Sequence, residues 1–208
     1  PPQTSQTQDT EKQTGKKVVE KEGVDTTHFT VVDGKGLTIS LTTTISTAWG
    51  TGLMVLDHGF ILGNQLINFN DYPEIDKWPY TGANDADGGK RPRTTIAPMM
   101  IFLDDKLVAA YGAPGSTAII NALLQVTVNL IDHRMELKDA VQAPRLSVDS
   151  GTSTAITDVE SGFGASVWSD LEKMGYDLTS VSDLAAVQAI VTYPGNNYQY
   201  GAADPRRG

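Results

Sequence analysis

The sequence predicts an α+β domain of layered type. Three observations carry this: short segments rich in β-branched residues come in adjacent pairs after residue 25, amphipathic helical segments follow in the middle, and strand-like segments return at the end. No internal repeat is visible. The chain has 208 residues, enough for one domain with a sizeable core, and 39% hydrophobic with 20% charged residues is a globular composition.

Residues 1–25 open with PPQTSQTQDTEKQTGKK, whose only apolar side chains are two prolines. Such a run cannot bury enough surface to offset its ordering entropy, so it reads as a flexible tail or, equally, as a linker between domains. From Thr26 the pattern changes. Residues 27–32 (THFTVV) and 37–43 (LTISLTT) flank Asp33-Gly34-Lys35-Gly36, which predicts a hairpin. Further strands are expected at 54–55, 60–62, 99–103, 107–111, 186–192 and 198–202, with Asp104-Asp105 turning a second hairpin. A helix over 116–132 follows Pro114-Gly115 and sets Ile119, Ile120, Leu123, Leu124, Val128 and Ile131 at helical spacing. A shorter helix over 137–143 is stopped by Pro144, and a third over 167–174 ends at Gly175 as its C-terminal cap. The loop 70–89 carries Trp78, Tyr80 and five acidic residues, and loops of that length in compact domains often serve function.

Composition excludes several chemistries. The chain has no cysteine, so disulfides, thiolate metal sites and a cysteine nucleophile are impossible. A formal charge of −9 and a pI near 4.7 deny it the basic footprint of a nucleic-acid binder. No apolar run approaches the roughly 18 residues of a membrane span. The chain opens on Pro1 without a leader, so it is expected to start inside a longer gene product, with any signal peptide upstream.

The three histidines, His28, His58 and His133, lack metal-ligand spacing, so no metal site is expected. There is no G-x-S-x-G elbow, and Gly112-Ala113-Pro114-Gly115-Ser116 lacks the lysine of a phosphate-binding loop. What remains is Thr26, at the junction of tail and first strand. Threonine attacks poorly without a neighbouring base. Cutting the bond before Thr26 would free an α-amine with a pKa of about 7.7–8.0, which suits that role. By composition alone, Thr26 reads first as a β-branched residue opening a strand, which is commonplace.

The run Thr26-Thr27-His28-Phe29-Thr30-Val31-Val32-Asp33 resembles the start of the small subunit of γ-glutamyltransferases, two-chain enzymes of the N-terminal-nucleophile hydrolase superfamily. Further segments resemble the family in its own order: Thr42-Thr43-Thr44-Ile45, Trp49-Gly50-Thr51-Gly52, Asn64-Gln65, Lys90-Arg91-Pro92, Tyr111-Gly112-Ala113-Pro114-Gly115, Ala143-Pro144-Arg145 and the run from Tyr200 to Arg206. The resemblance spans 26–207.

It implies a fold, a reaction and roles. Residues 26–208 would form the small catalytic subunit, part of a four-layer αββα sandwich completed by a large subunit whose C-terminal end is 1–25. The precursor would cleave itself between Asp25 and Thr26. Thr26 would then attack a γ-glutamyl amide, and the acyl-enzyme would pass to water or an amine without any cofactor. Thr44 would orient the Thr26 hydroxyl, while the N–H groups of Gly115 and Ser116 would form the oxyanion hole, a role suited to the open first turn of a helix. Thr94 and Thr95 stand where the family has paired serines that help hold the donor's α-carboxylate, beside an arginine of the large subunit. Gln65 matches a contact to the α-amino group. An extracellular or periplasmic location is implied as well.

Two positions depart from the pattern around the α-ammonium: Ser46 replaces an asparagine and Asn68 an aspartate. Losing that carboxylate removes a charge-assisted hydrogen bond of roughly 1.5–3 kcal/mol. The departures keep open an acylase for another acyl group or a poly-γ-glutamate depolymerase. A non-catalytic binding subunit is the rival of another kind, although it would not need Thr26, Thr44 and Gly115 together.

Overall fold

A computed structural model describes residues 25–71, 82–148, 156–193 and 198–207. The expected tail 1–25 lies outside these but for its last residue, as do Trp78 and Tyr80 of the long loop. The elements run β1 (Thr26–Val32), β2 (Thr38–Thr44), β3 (Met54–Val55), β4 (Phe60–Ile61), β5 (Met99–Leu103), β6 (Lys106–Gly112), α1 (Ala118–Ile131), α2 (Leu137–Gln142), β7 (Leu146–Val148), β8 (Ile156–Glu160), α3 (Ala165–Lys173), β9 (Asp177–Val181), β10 (Gln188–Thr192) and β11 (Gln199–Ala202).

The centre is a four-stranded antiparallel sheet in the order β11-β10-β6-β5. Asp104 and Asp105 turn β5 into β6 with φ of 48° and 59°, the paired left-handed geometry that a two-residue hairpin needs. One face of this sheet packs on α1 and α2. Ala109 and Tyr111 of β6 and Ala189 and Val191 of β10 meet Ile119, Ala122, Leu123 and Val126 of α1 and Leu137 and Val141 of α2. Each fully buried Leu, Ile or Val side chain contributes about 1.5–3 kcal/mol. The Tyr111 hydroxyl, inside this core, pairs with that of Thr127.

The other face carries the β1–β2 hairpin, and here the polarity is reversed. Residues alternate along a strand, and it is the polar set that faces the central sheet. Ser40 donates to the Tyr111 carbonyl at 3.4 Å, and His28 is buried so closely against Gly112 that a Cβ there would lie 2.4 Å from the imidazole. The apolar pairs Phe29–Leu41 and Val31–Ile39 point away and are exposed. The described residues thus stack helices, central sheet and hairpin as three layers.

Three strands escaped the sequence reading. Strands β7, β8 and β9 form a separate mixed sheet, with β8 and β9 parallel and α3 packed nearby. Strand β7 has only three residues, while β8 (ITDVE) and β9 (DLTSV) carry acids that blur the alternation. Helix α3 ends as expected. Gly175 has φ of 93°, its N–H reaches the Glu172 carbonyl, and that of Tyr176 reaches Leu171, a Schellman closure. The first helix starts later than expected, at Ala118. Gly115 and Ser116 have φ of 142° and 49°, outside the helical region, so residues 115–117 form a turn leading into it.

Candidate active site

Thr26 is the first residue of β1 and pairs directly with Thr44, the last of β2. That register sets the two side chains on one face, and the Thr26 hydroxyl donates to Thr44 Oγ1 at 2.9 Å. The Ser46 N–H also donates to Thr44 Oγ1, at 3.0 Å. Thr44 is thereby a fixed acceptor that holds one rotamer of Thr26. The ladder continues one step further, where the Ile45 N–H points at the Asp25 carbonyl at 3.4 Å, the carbonyl of the Asp25–Thr26 bond.

Two residues on from Thr26, His28 bonds through Nδ1 to Thr42 Oγ1 at 2.7 Å and through Nε2 to Thr30 Oγ1 at 3.0 Å. Burial lowers its pKa to about 4, so at neutral pH the ring is uncharged. The sequence marked His28 only as a histidine without metal spacing. Among the described residues no group of His, Asp or Glu converges as metal ligands would.

The expected substrate-side residues fall into two groups. Asn64 N–H donates to the Ile45 carbonyl at 2.9 Å, which sets the 3-10 turn Gln65–Asn68 beside the Thr44–Ser46 segment. Gln65 is exposed. Asn68 is half-buried, and its carbonyl accepts from Asn84 Nδ2 at 2.7 Å. Ser46 is left-handed, with φ of 72°, and its hydroxyl is buried with no partner among the described residues.

The second group lies at the turn before α1. Thr95 donates its hydroxyl to the Ser116 carbonyl at 2.7 Å, whereas Thr94 Oγ1 accepts from Ile96 N–H at 3.1 Å and its own proton has no acceptor among the described residues. The N–H groups of Gly115 and Ser116 make no hydrogen bond among the described residues. The expectation that they open a helix is corrected by the later start of α1: positive φ at both residues, not a helix end, turns them out of the backbone ladder. Pro114 lines the same groove of about 730 Å³ as Thr26, along the edge of β1 away from β2. The Arg207 guanidinium reaches the Thr26 carbonyl at 3.4 Å in that groove.

A cluster of buried charges beneath the turn was missed in role, although two of its segments carried the family resemblance. Arg145 pairs with Asp204 at 2.7 Å, and Arg206 pairs with Glu160 at 2.5 Å and Asp204 at 2.9 Å. Burial raises the Asp204 carboxyl, but the Arg145 charge and the Val187 and Arg206 N–H groups outweigh it and hold it below the usual range.

A two-sheet stack with a hydroxyl residue heading the first strand of the outer hairpin is the pattern of the N-terminal-nucleophile hydrolase fold. A family model for gamma-glutamyltranspeptidase matches residues 2–208. The chain is 40% identical over 183 residues to the glutathione hydrolase proenzyme of Bacillus subtilis (strain 168), covering 88% of this chain and 30% of the relative. It is 39% identical over 130 residues to the acylase ACY 1 proenzyme of Pseudomonas sp. (strain SE83), covering 62% and 22%. A crystal structure of a Helicobacter pylori gamma-glutamyltranspeptidase mutant superposes with a TM-score of 0.76 at 32% identity, over 87% of this chain and 100% of that one. The chain belongs to the gamma-glutamyltranspeptidase family. It spans about three tenths of the length of the glutathione hydrolase proenzyme it matches.

Proposed function

We propose that this chain is the nucleophile-bearing part of a γ-glutamyltransferase or hydrolase that cleaves itself before Thr26. The observation that carries the reading is the Thr26–Thr44 hydroxyl pair at the head of β1, with Thr26 sharing a groove with Pro114, which leads into a turn whose Gly115 and Ser116 N–H groups have no partner among the described residues. In processing, the Thr26 oxygen attacks the Asp25 carbonyl carbon, the C–N bond breaks, and the acyl group moves to oxygen as an ester. Water then hydrolyses the ester to an Asp25 carboxylate and a free Thr26 α-amine. The Ile45 N–H is the donor nearest the oxygen that turns negative in that step.

In turnover the α-amine takes the Thr26 hydroxyl proton as the oxygen attacks a γ-glutamyl amide. The tetrahedral oxyanion lies against the Gly115 and Ser116 N–H groups, and the proton passes to the departing amine. Water or a second amine then attacks the ester and releases Thr26. Thr94, whose hydroxyl proton is free to donate, is the better candidate for the donor's carboxylate; Thr95 serves mainly by holding Ser116. Gln65, Ser46 and Asn68 form the wall facing the α-amino side. No cofactor is required.

The exposed pairs Phe29–Leu41 and Val31–Ile39 support a fourth layer supplied by a large subunit of the same precursor. The relatives' proenzyme names fit such a precursor. Placement outside the cytoplasm is part of this reading, and among the described residues no helix is long and apolar enough to cross a membrane.

A second reading, an acylase for donors without an α-amino group, is favoured by Ser46 and Asn68 and by the acylase relative. Mass spectrometry of the purified full-length precursor tests the main proposal. A fragment beginning at Thr26, absent from Thr26→Ala together with all anilide hydrolysis, is expected; normal cutting of the alanine variant would overturn it.

A further inference from the structure

The strip 184–187, buried except for the half-buried Ala185, runs under the turn that presents the Gly115 and Ser116 N–H groups, and ionic side chains take up its backbone. Leu184 N–H donates to Glu160 Oε1 at 2.6 Å, and Arg145 Nη1 donates to the carbonyls of Leu184 at 3.1 Å and Ala185 at 3.4 Å. Val187 N–H donates to Asp204 Oδ2 at 2.8 Å. The Ala186 N–H instead bonds the Pro114 carbonyl at 3.0 Å. Ala185 between them is left-handed, with φ of 58°, a conformation that disfavours any residue with a Cβ. Yet the side chain is in use. A Cβ built on Gly115 would lie 2.4 Å from the Ala185 Cβ and 2.5 Å from its Cα, so Ala185 occupies the space that Gly115 leaves empty.

We infer that Ala185, held left-handed by Arg145, Glu160 and Asp204, is a positioning residue that aims the Gly115 N–H at the oxyanion of the reaction. The inference rests on the oxyanion role given to Gly115 above. A glycine at 185 would suit the backbone better, so alanine there trades local strain for a wedge against Gly115. Strain kept beside reacting atoms, with three buried ionic groups holding it, is what preorganisation requires.

The test is Ala185→Gly in the full-length, self-processed protein. Glycine relieves the positive φ, so the melting temperature should not fall. A γ-glutamyl anilide should bind with KM within about twofold, while kcat drops about tenfold, since a donor shifted by a fraction of an ångström loses most when the oxyanion forms. Processing should persist, because the Asp25 carbonyl faces the Ile45 N–H. An unchanged kcat overturns the inference, as does a fall in kcat that only follows a lower melting temperature. If Thr26→Ala remains active in the same assay, it is the underlying reading that fails. A dead Thr26→Ala beside a fully active Ala185→Gly removes Ala185 alone.

Discussion

Thr26 and Thr44 are directly opposed at the open end of the β1–β2 hairpin, and their hydroxyls meet at 2.9 Å. The hairpin register therefore sets the Thr26 rotamer. Because Thr44 Oγ1 also accepts the Ser46 N–H, it cannot swing away without breaking two bonds.

Thr44→Val keeps the β-branched shape on a half-buried strand end and removes the hydroxyl that accepts from both Thr26 and Ser46. Turnover should slow by roughly ten- to a hundredfold, the equivalent of a hydrogen bond of about 1.5–3 kcal/mol. The melting temperature should fall by no more than about five degrees. Steady-state kinetics with thermal unfolding checks this, and an unchanged kcat would remove Thr44 from the mechanism.

Gly115→Ala places a methyl group 2.5 Å from the Ala185 Cα at a φ of 142°. The turn must move, which should destabilise the protein by about 1–3 kcal/mol and reduce kcat by at least a hundredfold. Adding Ala185→Gly should rescue little, since the clash with the backbone of residue 185 and the strained φ at 115 both remain. Denaturant unfolding of the single and double variants reads this directly.

His28 should make the fold acid-sensitive. Its folded pKa of about 4 lies below the ordinary 6.5, so the unfolded chain takes up the proton first as pH falls. Its contribution is whole above about pH 6.5 and is lost between there and about pH 4, with a total on the order of 3 kcal/mol. His28→Gln can still bond both threonines but does not titrate. Its melting temperature should fall less steeply over that window than that of the unchanged protein.

Ser46 and Asn68 bear on donor choice. A glutaryl anilide, lacking the α-amino group, should be cleaved within about tenfold of the γ-glutamyl anilide, a difference of no more than about 1.4 kcal/mol. Ser46→Asn with Asn68→Asp should raise kcat/KM for the glutamyl donor and lower it for the glutaryl one. The asparagine should also suit the left-handed backbone at position 46 better than serine does. A thousandfold glutamyl preference in the unchanged enzyme would mean that other residues supply the negative charge.

Much of this was legible in the sequence because it is local. The strand pairs around 33–36 and 104–105, the α1 periodicity and the Gly175 cap depend on neighbours a few positions away, and each appears within a residue or two of its expected bounds, the start of α1 differing by two. There the positive φ of Gly115 and Ser116 intervened, a property that Ser116 does not advertise. The sheet β7-β8-β9 stayed hidden because short strands with acidic residues find their partners only in three dimensions.

The sequence by itself determined the candidate nucleophile, the family motifs and the layered α+β class, since these reside in residue type and order along the chain. Only the tertiary structure decided that the hairpin turns Ser40, Thr42 and His28 inward and the pairs Phe29–Leu41 and Val31–Ile39 outward. A period-two pattern identifies two faces but does not say which of them is covered. The structure also decided that Arg145, Glu160, Asp204 and Arg206 meet in one buried cluster under Gly115. Charges so far apart in sequence can offset one another's desolvation only after the chain has folded to bring them within hydrogen-bonding distance.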